Sequence, residues 1–295
     1  MPRFFLPPAA WSASGAPSIL TGEEAPHLAQ VLRIQPGTHV TVFDGEGRRA
    51  QARVLEVSRS RVALELSEVP PCGQLLPVIT LAQAIPKGKT MDLIVQKAVE
   101  LGVATIQPLV TRHTIVHPGA GKSEKWRRTA LEACKQCGQD RLPDIPDALA
   151  FDRWLATQTP VAALPNTIDS GDAGTRQEEA AGRMPAPRGP GILPAASVQT
   201  TKSIEPTVLA APPSSLKLIA SLAPAARPLR DVLQAYPATT HATLLIGPEG
   251  DFSPDETAAA IVAGFLPVSL GSIVLRVETA SLYCLSVLRY QFGRD

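Results

Sequence analysis

Two short segments near the C-terminus combine residue types that packing alone does not require. The first, IGPEGDFSPDE at residues 246–256, places Gly247, Pro248 and Gly250 between an aliphatic run and a helix start. Ser253 is followed by Pro254 and, three positions on, by Glu256, a capping box with proline at the first helical position. The helix therefore starts at Ser253, and GPEGDF becomes a loop at the carboxyl end of a strand, which is where open α/β sheets bind ligands. Gly247 and Gly250 let the main chain come close to a ligand without a side chain in the way. The segment has neither the GxxxxGK[ST] nor the GxGxxG pattern, and Glu249 and Asp251 repel phosphate, so a nucleotide held by its phosphates is not expected.

A turn with no ligand could use the same residues; the second segment shifts the balance. In SLGSIVLRVETASLYCL, residues 269–285, a strand again ends in a glycine, Gly271, and the chain then leads to a helix that Thr279 is placed to cap. Arg276 and Glu278 flank an apolar residue at that helix start, where a core has little use for either charge. Cys134 and Cys137 form a C-x-x-C, but no second pair accompanies them, and small side chains near a helix end are the plainer reading. His113 and His117 share RHTIVH with no acidic residue between them, as expected of surface or loop histidines rather than metal ligands.

These loops need elements to hold them. From Thr38 to Glu68 short alternating runs, HVTVF, RRAQARVLEV and SRVALEL, are separated by turn residues and predict a small antiparallel sheet or barrel. Upstream, Leu28, Val31 and Leu32 have helical spacing and predict a short helix packed on that sheet. After the paired prolines of EVPPCG the pattern changes. LPVITLAQAI reads as a strand buried on both faces, KGKTMDLIVQKAVELG as a helix capped by Thr90 and stopped at Gly102, and VATIQPLV as another buried strand. A second series, KLIASLA, ATLLIG, the capped helix, FLPVSLG and a closing helix through Phe292, completes a parallel sheet covered by helices. The predicted division is a β-domain over residues 1–70 and an α/β domain over 74–295. Residues 157–215, rich in Pro, Ala, Gly, Ser and Thr without periodicity, read as a disordered insertion in a surface loop.

Composition limits the partners. With 295 residues, 44% hydrophobic and a formal net charge of +1, the chain has material for two cores and no global field that demands a polyanion. The start of the chain lacks a signal-peptide core, and no run is long and apolar enough to span a membrane, so a cytosolic location with free thiols is expected. Basic charge is local: residues 87–141 carry ten Lys or Arg against five Asp or Glu, whereas residues 1–70 are balanced at seven each. Arg48, Arg49, Arg53, Arg59 and Arg61 could share one face of the β-domain, as nucleic acid or a solvated strand surface would equally allow.

Taken together, IGPEGxFSxxE, LGxxxLRxETA and KGxxMxxIxxKAxELGV, with PRFFLP and HLAQVLR near the N-terminus, resemble the RsmE family of SPOUT-class methyltransferases, which methylate N3 of a uridine in small-subunit ribosomal RNA. The resemblance covers most of the chain outside 157–215. It implies a small PUA-like β-barrel domain for RNA binding, a SPOUT domain whose C-terminal loops form a trefoil knot, S-adenosylmethionine as methyl donor and a homodimer. It also implies that Leu222, Ile246, Gly247, Gly250, Leu270, Gly271, Val274 and Leu275 hold the cofactor through main-chain groups, with Glu249 in the same loop. Arg276 becomes the stabiliser of a uridine anion or a phosphate clamp, and Glu278 the base or its orienter. Arg3, Arg33, Lys87, Lys89, Lys97, Arg112, Lys135 and Arg141 are the expected RNA contacts, with no metal required. The chain departs from the family pattern at Asp251, where a second glycine is usual, at Ile273 and at Gln139, where arginine is common. A SPOUT enzyme acting on another RNA, a non-catalytic assembly factor of the same fold, and a C-x-x-C thiol or metal protein remain the competing readings at this level.

Overall fold

The computed structural model describes residues 1–12, 16–69, 73, 75–116, 119, 121–158 and 214–293, all within one compact unit. The insertion expected over 157–215 lies outside the described residues except at its ends, where Thr157 and Gln158 close one helix and Ser215 already opens a strand.

The N-terminal half-barrel contains β1 (Arg3–Phe5), β2 (Ser18–Leu20), β3 (His39–Phe43), β4 (Arg49–Val57) and β5 (Val62–Val69), in the order β1-β3-β4-β5-β2. Strict alternation explains its face. Ala50, Ala52 and Val54 of β4 point into a core with Phe4, Leu20, Val40, Val42 and Leu64, while Arg49, Gln51 and Arg53 point out. Arg53 pairs across the strands with Glu65 at 2.8 Å. The expected strands β3 to β5 are antiparallel, but β1 adds to β3 in parallel.

The expected helix ahead of β3 is a short turn, α1, running from Glu24–Pro26 into a π-helical His27–Val31. Of the three residues read as its packing face only Leu28 is buried; Val31 and Leu32 are exposed, and Ala25 takes their place. Wider π winding breaks the i, i+3, i+4 spacing on which that reading rested.

The second sheet has seven strands, all parallel, in the order β10-β12-β9-β11-β6-β7-β8: β6 (Val78–Ala84), β7 (Thr105–Val110), β8 (Leu149–Ala150), β9 (Ser215–Ala220), β10 (Arg227–Pro228), β11 (His241–Ile246) and β12 (Leu266–Ser269). Neighbouring residues of its central strands enter different cores. Leu81, Leu218 and Leu244 pack on one face with α2 (Thr90–Glu100), α3 (Lys122–Cys137), α5 (Leu229–Ala235) and α7 (Val277–Phe292). Ala82, Ile219 and Leu245 pack on the other with α4 (Phe151–Leu155) and α6 (Pro254–Val262). Each such leucine or isoleucine contributes about 1.5–3 kcal/mol by burial, which is why these strands read as unbroken apolar runs.

Two helix starts differ from expectation. Thr90 is the first residue of α2 rather than its cap, and Lys89 in the cap position offers no side-chain acceptor. Helix α7 begins at Val277, two residues before Thr279, with Arg276 as the residue at its N-cap. The capping box of α6 is as read, with Ser253 accepting from Glu256 N–H and Glu256 Oε2 accepting from Ser253 N–H at 2.9 Å. No helix among the described residues is long and apolar enough to cross a membrane.

The half-barrel is tied to α3 and the turn after it by ion pairs. Arg3 donates to Asp140 Oδ1 at 2.7 Å and to Gln139 O at 3.0 Å while lying over the Phe43 ring. Lys135 of α3 pairs with Glu24 and with Glu132. In the half-barrel, Asp44 closes the turn to β4: Oδ1 accepts from Glu46 and Arg48 N–H at 2.8 and 2.9 Å, and Oδ2 meets Arg48 Nε at 2.6 Å. Burial pushes this carboxyl up, but the hydrogen bond from Arg48 and the two main-chain donors outweigh it and hold it below the usual carboxylate range. The folded pKa is therefore below the unfolded one, so the stabilisation is complete above about pH 4 and is lost as pH falls through the folded value. Denaturant titrations between pH 5 and pH 2 should show wild type losing more stability than Asp44→Asn, and parallel losses in the two proteins would refute this role for Asp44.

Candidate cofactor and RNA site

Because all seven strands run the same way, the loops after β6, β7, β9, β11 and β12 emerge along one edge. The loop after β11 lies at its centre. Its glycines have a packing reason as well as an access reason. A Cβ on Gly247 would come within 3.1 Å of Asp251 Oδ1, and one on Gly250 within 3.1 Å of His113 Cβ. Asp251, at the departure from the family pattern, adopts the left-handed conformation (φ 58°) that glycine would take freely.

Leu222, after β9, and Ile273 and Val274, after β12, are 66%, 76% and 71% exposed, which is high for side chains of this kind. The N–H groups of residues 272–275 find no hydrogen-bond partner among the described residues, and Gly271 (φ 123°) has open space where a side chain would be. Apolar walls and unengaged main-chain groups suit an uncharged planar ring with polar edges, and the acidic loop between them suits a cation better than a phosphate. That donor set fits S-adenosylmethionine.

The start of α7 is pinned from beneath. Gln83, fully buried near the end of β6, accepts from Ser281 Oγ at 2.6 Å and donates to Ala84 O at 2.9 Å, and Ser281 Oγ also lies 2.9 Å from Val277 O. Arg276 and Glu278 are thereby held at a fixed helix terminus beside the loop after β12. Arg276 is exposed and forms no ion pair with any described residue, at the helix end whose dipole disfavours a cation. Glu278, in the first turn and partly exposed, is where the dipole favours a carboxylate.

The expected RNA contacts separate into two groups. Lys87, Lys89 and Arg112 are exposed on the loops after β6 and β7, along the same edge as the glycine turn, and Arg33 and Arg141 are exposed elsewhere. Arg3 and Lys135 are largely occupied by the ion pairs that tie the half-barrel to α3 and the turn after it, and Lys97 is paired with Glu100 at 2.9 Å. Glu249 turns its carboxylate to Lys87 N–H at 2.9 Å. Cys134 is buried, its thiol pushed up to about 12 chiefly by burial, and it points at Arg141 O, whereas Cys137 is exposed. No metal-ligand cluster occurs among the described residues, and His117 lies outside them.

Three contributors escaped the sequence reading. His113, read as a surface or loop histidine, is exposed on the loop after β7 as expected, but it also places Nδ1 3.0 and 2.9 Å from Gly250 O and Asp251 O. Gln83 and Ser281 gave a fainter signal: a glutamine inside an apolar strand run needs a buried partner.

Fold and site together define an RNA methyltransferase. The model of an RNA methyltransferase domain matches residues 74–179 and 192–289, that of an RNA methyltransferase PUA domain matches residues 20–67, and the chain belongs to this RNA methyltransferase family. More particularly, the chain is 29% identical to the ribosomal RNA small subunit methyltransferase E of Synechocystis sp., over 90% of its own length and 71% of the relative's. Among solved structures, it superposes with a TM-score of 0.72 on a methyltransferase of Legionella pneumophila in complex with its cofactor S-adenosylmethionine, at 28% identity and covering 99% and 98% of the two chains. With the ribosomal RNA small subunit methyltransferase E of Neisseria gonorrhoeae bound to S-adenosylmethionine, the TM-score is 0.71 at 25% identity and the same coverage. The resemblance to the RsmE family and the SPOUT-type fold with its PUA-like N-terminal domain are borne out.

The Gln83–Ser281 contact yields a test of how α7 is set. Ser281→Ala leaves a buried acceptor unpaired and should cost about 1–3 kcal/mol in denaturant unfolding; a loss within error of zero would show that the contact does not hold the helix.

Proposed function

We propose that this chain is a ribosomal RNA methyltransferase that carries the methyl group of S-adenosylmethionine to N3 of a uridine in small-subunit ribosomal RNA. The observation that carries the reading is Arg276: an exposed cation with no ion-pair partner among the described residues, at the positive end of a pinned helix, beside a loop whose main-chain donors meet no partner among those residues. Two sources of positive potential converge there, an arrangement that is unfavourable until an anion arrives.

Uridine N3 carries a proton that must leave before its lone pair can attack. In this reading the Glu278 carboxylate accepts that proton or orients the base, and the Arg276 guanidinium stabilises the negative charge left on the uracil ring. S-adenosylmethionine, when bound, supplies a methyl carbon made electrophilic by its sulfonium. Main-chain groups of Ile246, Gly247, Gly250, Leu270, Gly271, Val274 and Leu275 would hold it, with Leu222 and Val274 as apolar cover. The RNA would approach along the edge that bears Lys87, Lys89 and Arg112, with the β-domain of residues 1–70 as a second contact and residues 74–295 as the catalytic domain. The return of α7 from β12 at one side of the sheet to pack against α2 and β11 supports the knotted path implied by the family.

Labelled methyl transfer to small ribosomal subunits lacking the modification, followed by nucleoside mass spectrometry, should yield N3-methyluridine at one position. Arg276→Ala and Glu278→Gln should lower kcat by about 10²-fold or more with cofactor affinity changed only slightly. Wild-type turnover in both would end this assignment of roles, and cofactor binding without transfer would favour another RNA.

The reading includes a cytoplasmic homodimer. On α7, Tyr283 and Tyr290 are exposed seven residues apart, two turns along one face, and Tyr290 is 90% exposed. Light scattering should show a dimer for wild type and a shift toward monomer for Tyr290→Glu; a monomeric wild type would remove the dimer from the proposal.

A further inference from the structure

Three carboxylates on the segment after β11 each face a main-chain N–H of a different neighbouring loop. Glu249 Oε1 accepts from Lys87 N–H at 2.9 Å, after β6. Glu256 Oε1 accepts from Arg112 N–H at 2.8 Å, after β7. Asp251 Oδ2 accepts from Leu222 N–H, after β9, at 3.4 Å, the longest of the three. The acidity that argued against a phosphate ligand thus has a second use, in which the central loop holds its neighbours by their backbones.

Asp251 stands apart because its backbone is strained. Among the described non-glycine residues only it and Arg33 have positive φ, a conformation that persists where the surroundings impose it. Here they do. Asp251 Oδ1 accepts from Phe252 N–H at 2.8 Å, and the side chain lies over Gly247. From the other side His113 Nδ1 sits between Gly250 O and Asp251 O at 3.0 and 2.9 Å. Both neighbours are acceptors, so Nδ1 carries the proton.

We propose that Asp251 is a positioning residue: by joining Leu222 N–H to the glycine turn, with His113 holding that turn from the opposite side, it sets the spacing between the loops after β9 and β11 and so the width of the cofactor slot. This rests on the cofactor reading above. Its distinguishing consequence is that stability and affinity move in opposite directions. Glycine at 251 suits the left-handed backbone and removes its strain, yet it abolishes the join to Leu222. A residue needed only for folding would lower both together.

The test uses the full chain as Asp251→Gly and Asp251→Asn, with three readouts: melting temperature, amide hydrogen exchange at Leu222 without ligand, and S-adenosylmethionine affinity by calorimetry. Asp251→Gly should melt no lower than wild type, exchange about tenfold faster at Leu222 and bind the cofactor about tenfold more weakly. Asparagine tolerates positive φ and keeps an acceptor oxygen, so Asp251→Asn should stay within about threefold of wild type in exchange and affinity. Unchanged exchange and affinity in Asp251→Gly would overturn the proposal, as would a lowered melting temperature that accounts for the affinity loss. If wild type itself does not bind S-adenosylmethionine, the cofactor reading fails, and the join is then judged by Leu222 exchange alone.

Discussion

The site depends on a constraint that is topological before it is chemical: every strand of the seven-stranded sheet points the same way. Parallel strands need crossovers, crossovers cover both faces, and what remains uncovered is the row of loops at the carboxyl edge. The helix that brings the charged pair to that row must then be fixed to the sheet, and the buried Gln83–Ser281 hydrogen bond does this at the place where α7 begins. Arg289 fastens the far end of α7, and without the Gln83–Ser281 bond the end that carries Arg276 and Glu278 would rest on apolar contacts. Apolar packing favours burial but is indifferent to small shifts; a hydrogen bond between two buried side chains is not.

Acidic residues at this edge divide their work. Glu256 closes the capping box with one oxygen and holds the β7 loop with the other, and Glu249 and Asp251 reach the loops on either side. The basic residues divide differently, some spent on tying the half-barrel to α3 and the turn after it, as Arg3 and Lys135 are, and some left in solvent near the opening, as Lys87 and Lys89 are. A count of charges along the sequence cannot separate these uses, because the distinction lies in which carboxylate the fold brings within reach.

Legibility in the sequence followed the range of the physics. Strands β6, β7, β9 and β11, the α6 cap and the glycine turn were readable because alternation, apolar runs and capping are local rules written in neighbouring residues. The parallel addition of β1 to β3 was not, because it pairs Arg3 with Thr41 across the intervening β2 and α1. Val31 and Leu32 were placed inward by a spacing that holds for α-helix and fails for the π-winding actually adopted. Of the candidate site, Arg276 and Glu278, proposed to act there, were visible as charges out of place, whereas His113 was invisible because its partners are carbonyl oxygens, which every residue has. Asp251 looked like a defect in a pattern, and its bonds to two other loops show how a residue other than glycine can hold that conformation.

The sheet order also sets when this protein can fold. Strand β6 has β11 as its inner neighbour, with Val78 opposite His241, and α2 is fastened from the far end of the chain by Arg289, whose guanidinium donates to the carbonyls of Leu76, Pro77, Leu101 and Gly102 at 2.7–3.3 Å. At synthesis rates of about 5–20 residues per second, β6 waits on the order of ten seconds or more for its partner. Throughout that interval an apolar strand stands with an open edge of the kind that invites pairing with other chains, even though the finished fold leaves that strand no edge at all.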